Sequence, residues 1–356
     1  MTVQPHPGIE PDAAPAEPGA RYQVADRAPR GVADLVLRWE TILLVLLAAV
    51  IVGNTLVSPY FLDLYNLADA TYNFSEKAII ALAMALLILI REIDLSVAAT
   101  LALAALCIGF AAANGYGAPV LIVTGLAVGL ICGAFNGLLV TRTRVPSIVV
   151  TIGTMSLFRG IAQVSLGDQA YTSFPPDYLN LGQSYFIAMP PTPLSFLIFL
   201  VLAIGYGIVL HGTATGRRLF AIGANPLAAR FTGIRVDRIR FALFTLAGLM
   251  AGLAAVLLTA RIGVVRPNIA LGWELDIVTM VVLGGVAISG GVGTVFGVVL
   301  AVFVLGLATF GLSLTNVPGI VINVLLGLLL IVSIAAPIAI RGFVNRARAA
   351  RPERAP

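Results

Sequence analysis

The chain has 356 residues, of which 59% are apolar and only 11% charged, with a mean hydropathy of +0.99. Soluble domains carry about 25% charged residues, so the composition excludes a soluble domain and indicates a polytopic membrane protein. The net charge of +5 is almost wholly arginine and clusters between or after apolar runs, where it reports topology rather than nucleic-acid binding.

Residues 1–30 are rich in Pro, Ala, Asp and Glu and have no apolar core of signal-peptide type. Residues 1–40 therefore read as a disordered cytoplasmic tail and juxtamembrane segment. Arg27, Arg30 and Arg38 precede the first apolar run and place the N-terminus inside. Runs of spanning length follow at 41–58, 75–91, 95–113, 119–140, 147–166, 193–211, 241–260, 274–290, 294–313 and 319–340. The pattern predicts an all-α fold with about ten transmembrane helices over 41–340, with both termini cytoplasmic and a basic cytoplasmic tail at 341–356. Arg142 and Arg144 follow the fourth span, the Arg-rich loop 212–240 follows the sixth, and the segments assigned outside (59–74, 167–192 and 314–318) contain no Lys or Arg. Arg261 and Arg266 break this rule.

Two short matches recur five spans apart. Val145-Pro-Ser-Ile-Val149 opens the fifth span and Val317-Pro-Gly-Ile-Val321 the tenth; Glu92-Ile-Asp-Leu95 precedes the third and Glu274-Leu-Asp-Ile277 opens the eighth. An odd number of spans per repeat predicts an inverted five-plus-five arrangement.

Lys77, the only lysine, stands between Glu76 and Ala78. The chain therefore lacks a G-x-x-x-x-G-K-[ST] phosphate loop and does not hydrolyse ATP by that machinery. Cys107 and Cys132 lie in apolar runs without disulfide or metal spacing. No nucleophile–base pair or metal set is present, so no catalytic residue, cofactor or metal ligand is assigned. Gly284-Gly285, Gly290-Gly291-Val-Gly293 and Gly297 read as a tight turn and close helix packing.

Ionisable and polar residues at membrane depth are costly and mark function by default. The 91–96 segment, with Glu92, Asp94 and Ser96, is either an ordinary turn in which Asp94 or Ser96 caps the third span, or a helix break lining a translocation path. Phe158, Arg159 and Gln163 lie in the fifth span, and Arg159 is expected to pair with Glu92, Asp94, Glu274 or Asp276. Asn136 and Asn323 either line the path or tie helices together. In the 212–240 loop, Asn225 is a candidate N-cap, Pro226 a first helical residue and Gly233 a stop. The helix between them is too short to stand alone in water; it is either a membrane-surface turn or a docking helix for a cytoplasmic partner.

The chain resembles, over about residues 40–340, the membrane permeases of bacterial ATP-binding-cassette importers for monosaccharides. The carriers are Ile93-Asp-Leu-Ser96, Val145-Pro-Ser-Ile-Val-Val-Thr-Ile-Gly153, the Gly216…Asn225…Gly233 loop, and Leu283-Gly-Gly…Gly290-Gly-Val-Gly293. The resemblance implies a multi-pass protein of the bacterial inner membrane that works as a dimer with a second permease copy or paralogue. A cytoplasmic ATPase holding ATP and Mg²⁺ and a periplasmic sugar-binding protein would complete the transporter. It also implies that Asn225, Pro226, Leu227, Ala228, Ala229, Arg230, Phe231 and Gly233 form the helix that couples to the ATPase. Thr154-Met-Ser-Leu-Phe-Arg-Gly160 and Leu166-Gly-Asp-Gln-Ala170 look like the rhamnose branch, with the autoinducer 2 importers as close relatives. Rhamnose import is the leading expectation; import of autoinducer 2 or another pentose or hexose, and proton-coupled secondary transport, are the alternatives.

Overall fold

The computed structural model describes residues 39–143, 145–315 and 317–321, together with 324, 327, 328 and 331. The two tails, Asn323 and most of the expected tenth span lie outside the described residues. Twelve helices are described up to Leu314: α1 Trp39–Val57, α2 Leu64–Leu89, α3 Val97–Ala113, α4 Ala118–Thr143, α5 Ser147–Leu166, α6 Pro176–Gln183, α7 Leu194–Gly212, α8 Ala214–Ala224, α9 Pro226–Phe231, α10 Val236–Ile262, α11 Trp273–Leu283 and α12 Val295–Leu314. A two-stranded antiparallel hairpin, β1 Tyr185–Ile187 with β2 Thr192–Pro193, sits between α6 and α7.

Among the described residues, seven helices are long and apolar enough to cross a membrane: α1, α2, α4, α5, α7, α10 and α12. The expected third and eighth spans are shorter. They appear as α3 with 17 residues and α11 with 11; α3 stands at the lower limit of about 17–25 residues for a spanning helix, and α11 is well short of it. The eighth stops at Gly284, where Gly285, Gly290, Gly291 and Gly293 all take positive φ, a conformation that only glycine adopts without strain. The second span differs in the opposite sense. Helix α2 begins at Leu64, capped by the Asp63 side chain, and its first turns hide in a polar stretch. There Thr71, Asn73 and Ser75 donate to carbonyls of the preceding turn, so the polar side chains are satisfied within the helix.

Helix α2 is the centre of the bundle. Every residue from Ala78 to Leu89 is buried, and α10, α11, α12 and α7 surround it. A helix apolar all round has no preferred lipid face and is stable only when enclosed. The closest helix pair is α4 with α10. Gly125, Gly129 and Gly133 face Gly248 and Gly252 there, and a Cβ placed on Gly129 or Gly248 would collide with the opposite backbone. Lipid offers apolar side chains as good an environment as protein does, so association in a membrane rests on this kind of close backbone packing.

The two Val-Pro sequences open helices in the same way. Val149 N–H donates to Pro146 O at 3.0 Å, and Val321 N–H to Pro318 O at 2.9 Å. The two acidic matches do not correspond: Glu92 and Asp94 lie in the turn before α3, whereas Glu274 and Asp276 lie inside the first turn of α11.

Gly129→Leu and Gly248→Leu should each force the α4–α10 pair apart, at the ~1–3 kcal/mol typical of overpacking or more. The melting temperature of the detergent-purified protein should fall clearly for both. Gly53→Leu on α1, where nothing lies within 4 Å of the added Cβ, should leave it unchanged.

Candidate functional site

The Arg-rich end of the bundle carries a helical hairpin rather than a loop. Thr213 caps α8 by accepting from Thr215 N–H and Gly216 N–H. Asn225 ends α8 and caps α9, its Oδ1 accepting from Leu227 N–H and Ala228 N–H at 3.0 Å each. Pro226 occupies the first position of α9. The chain leaves through Gly233 at φ +83°, the left-handed value that a helix-ending glycine supplies. An Asn cap is worth about 0.5–2 kcal/mol, enough to matter in six residues.

The faces of α9 are now assigned. Ala229 points inward and is 3% exposed, whereas Leu227 and Phe231 are 63% and 85% exposed. Two large apolar side chains four residues apart thus project from a helix held on its opposite face. Ala229 is therefore an anchor of α9 rather than a contact residue, and Gly233 supplies backbone geometry.

Two polar links join this hairpin to the break after α2. Arg91 takes φ +69°, unusual for a non-glycine residue. From there its Nε donates to Gly223 O at 2.7 Å and a terminal nitrogen donates to Ala224 O at 2.6 Å. Both acceptors are among the last carbonyls of α8, which no helical N–H satisfies. Gly291 N–H bonds Leu89 O at 2.8 Å beside them, so the Gly-rich turn, the end of α2 and the end of α8 meet at one point. The second link is ionic. Glu92, 6% exposed, stands 2.8 Å from Arg240 Nε, although that N–H is not aligned for a hydrogen bond. Arg240 also lies 3.8 Å from Asp237, and Asp237 accepts from Arg230 of α9 at 2.7 Å. Charges thus run without a gap from the buried turn to α9.

The other path candidates fall in separate places. Asp94 accepts from Ser96 N–H at 2.9 Å and Ser96 O–H at 2.6 Å, while Asn136 Nδ2 donates to Ser96 Oγ at 2.6 Å. Ser96 occupies the N-cap position of α3, but its hydroxyl does not cap the helix. This is a buried knot tying the break to α4, and Asn136 Oδ1 in it has no partner. Phe158 packs against Ala99 and Cys132. The expected Arg159–carboxylate pair is not formed. Arg159 instead donates to Ile269 O at 2.6 Å, with Ala98 O and Ala270 O at 3.4 and 3.5 Å. Carbonyls freed by the break between α10 and α11 outcompete a distant acid, because they already point at α5. Gln163, one turn further along α5, lines an open polar cleft of about 690 Å³ with Asp168, Gln169, Arg266 and Asn268.

Asp276 leads to a group that the sequence reading missed. Its carboxylate meets Lys77 Nζ at 2.5 Å, and Lys77 lies 4.9 Å above the centre of the Trp273 ring. The adjacent Glu76 is fully buried and pairs with Arg261 Nε at 2.8 Å. The expected second span begins at residue 75, with Glu76 and Lys77 at its edge. The true start at Leu64 puts them in the middle of α2. Arg261, which broke the charge rule, is there because Glu76 requires it.

A bundle of membrane-spanning helices with broken elements, buried ion pairs and a rigidly presented apolar helix at one end defines a multi-pass membrane permease. The chain belongs to the family described as the branched-chain amino acid transport system / permease component, whose match covers residues 66–334. It is 35% identical over 249 residues to the autoinducer 2 import system permease protein LsrC of Enterobacter sp., covering 70% of this chain and 72% of that one. It is 34% identical over 300 residues to the corresponding LsrD of Shigella flexneri, covering 83% of this chain and 90% of that one. No solved structure matches the chain.

Removing one member of a buried ion pair leaves a desolvated charge, whereas neutralising both does not. Arg240→Gln should therefore lower the melting temperature more than the Glu92→Gln/Arg240→Gln double variant does. Equal losses in the two proteins would show that Glu92 is not stranded as a desolvated charge when Arg240 is removed.

Proposed function

We propose that this chain is the membrane-spanning subunit of an ATP-driven bacterial importer and that α9 is its docking helix for a separate cytoplasmic ATPase. The observation that carries the reading is the exposure of Leu227 and Phe231 on a helix fixed by the Asn225 cap, the Ala229 anchor and the Arg230–Asp237 pair. Short amphipathic helices bind by inserting such anchors into an apolar groove. ATP and Mg²⁺ belong to the ATPase. A periplasmic binding protein delivers the cargo, and a second permease, identical or paralogous, completes the assembly. The Arg-rich end faces the cytoplasm, since cationic segments are retained there during insertion. With a tenth helix opening at Pro318, this orientation places both termini inside. The matched turns at Pro146 and Pro318, and the short third and eighth helices, support an inverted five-plus-five repeat.

The cargo is a small hydroxylated molecule of the autoinducer 2 kind. The two relatives described above favour this alternative over rhamnose. Movement of α9 reaches the transport path through the two links at the break after α2: Arg91 on the α8 carbonyls and the Glu92–Arg240–Asp237–Arg230 chain. The Asp94–Ser96–Asn136 knot, the Arg159 clamp and Gln163 at the outer cleft then lie along or beside that path. The cycle proceeds as the ATPase pair closes and moves both α9 helices.

Leu227→Asp and Phe231→Asp should each reduce uptake of labelled autoinducer 2 at least tenfold in cells whose own permease is deleted. Membrane insertion and melting temperature should remain those of the unsubstituted protein, because neither side chain is buried. Uptake that survives both substitutions would remove the docking role from α9. Uptake abolished by an ionophore at normal ATP would show proton coupling instead, and transport of rhamnose in place of autoinducer 2 would reassign the cargo.

A further inference from the structure

A partly open cavity of about 310 Å³ lies beside the ion-paired centre of the protomer, between α2, α10, α11 and α12. Lys77 lies about 21 Å along α2 from Arg91 at 1.5 Å per residue. With the Arg-rich end inside, this depth falls in the outer half of a hydrocarbon core about 30 Å thick. The volume is at the lower end of the ~300–1,000 Å³ of small-molecule sites. One wall is apolar, formed by Phe74 and Phe310; the other carries the ring of Trp273 and the Lys77–Asp276 pair.

The polar groups are arranged for an uncharged guest. Glu76 and Asp276 are balanced by Arg261 and Lys77, so the site has no net charge to offer an ion. Thr309 and Ser313 both line the cavity, and each spends its single O–H on its own helix, Thr309 on Leu305 O and Ser313 on Phe310 O. Their oxygens are left as acceptors for hydroxyl donors from a guest. Lys77 has three N–H groups, of which Asp276 takes one, so donors are available too. A zwitterion would have to split the Lys77–Asp276 pair to bind. A polyol adds to the pair without breaking it, beside the Trp273 ring that Lys77 covers.

We propose that this cavity is an intramembrane binding site for a small neutral polyhydroxylated molecule, with the Lys77-covered ring of Trp273 in its wall. Thr309, Ser313 and the Lys77–Asp276 pair are its hydrogen-bonding groups. The assignment rests on the importer reading for its cargo class but concerns a site that the docking helix does not touch. It places a cargo position inside each protomer, beside the short helix α11.

The chain has two tryptophans, so a Trp39→Phe protein in lipid nanodiscs reports from Trp273 alone. Fluorescence should change saturably on titration with autoinducer 2, L-rhamnose or D-ribose, each added alone, and should not change with L-leucine. Thr309→Val/Ser313→Ala should weaken the response at least tenfold at an unchanged melting temperature. No response to any of the three hydroxylated probes would overturn the site, as would a response unaltered in the double variant. A response to L-leucine alone would also overturn it, by assigning the cavity to a zwitterion. A Trp273 response in a protein that fails the uptake test would leave the site standing while the importer reading falls; normal uptake without a response would do the reverse.

Discussion

The structure depends on one constraint: at membrane depth no water is available, so each polar or charged group must find its partner within the protein. Glu76 shows how far this reaches. A fully buried carboxylate on the central helix needs a cation, and Arg261 supplies it from the far end of α10. That pairing fixes the height of α10 against α2. Lys77 and Asp276 do the same for α11, which is too short to be positioned by spanning the bilayer. The glycine faces of α4 and α10 let the backbones approach closely, and the ion pairs set how the remaining helices stand around the centre.

The same constraint explains the breaks. Where α2 ends, Arg91 enters the left-handed region and turns outward to the last carbonyls of α8. Where α10 ends, Arg159 collects the carbonyls of Ile269 and Ala270. At each interruption an arginine gathers carbonyls left free by a helix end or a break: Arg91 reaches out from the turn after α2 to α8, and Arg159 reaches from α5 to the segment before α11. An interruption held by one side chain is more easily rearranged than a continuous helix. One lies beside the α8–α9 hairpin and the other beside the cleft that Gln163 lines.

Charge distribution separates the two working regions of the molecule. The links from Arg230 to Glu92 occupy the Arg-rich end and are partly solvated, with Arg230 and Asp237 about half exposed. The exposed Arg230–Asp237 pair contributes little by itself and serves geometric continuity, whereas Glu92 at the other end of the chain of charges is buried. The Glu76–Arg261 and Lys77–Asp276 pairs are far less exposed, and breaking either would strand a charge in an apolar interior. The central pairs fix the scaffold, while the charges from Glu92 to Arg230 run from the break after α2 to α9.

Much of the protein was legible in its sequence. Hydropathy identified the membrane class, arginine placement gave the topology reading, and Asn225-Pro226 with Gly233 announced a capped helix that is present as read. These are local properties: a residue's cost in lipid, its charge during insertion and its preferred backbone angles do not require knowledge of its neighbours in space. Tertiary structure decided the rest. It set the start of α2 at Leu64, because Thr71, Asn73 and Ser75 satisfy themselves along the helix and so conceal it as a polar loop. It buried Ala229 and exposed Phe231, which spacing alone does not distinguish. It gave Arg159 to carbonyls rather than acids, and joined Glu76 to Arg261 and Lys77 to Asp276 across nearly two hundred residues of chain. Burial supplies the demand for a partner at each of these positions, but only the packed bundle determines which distant group is close enough to meet it.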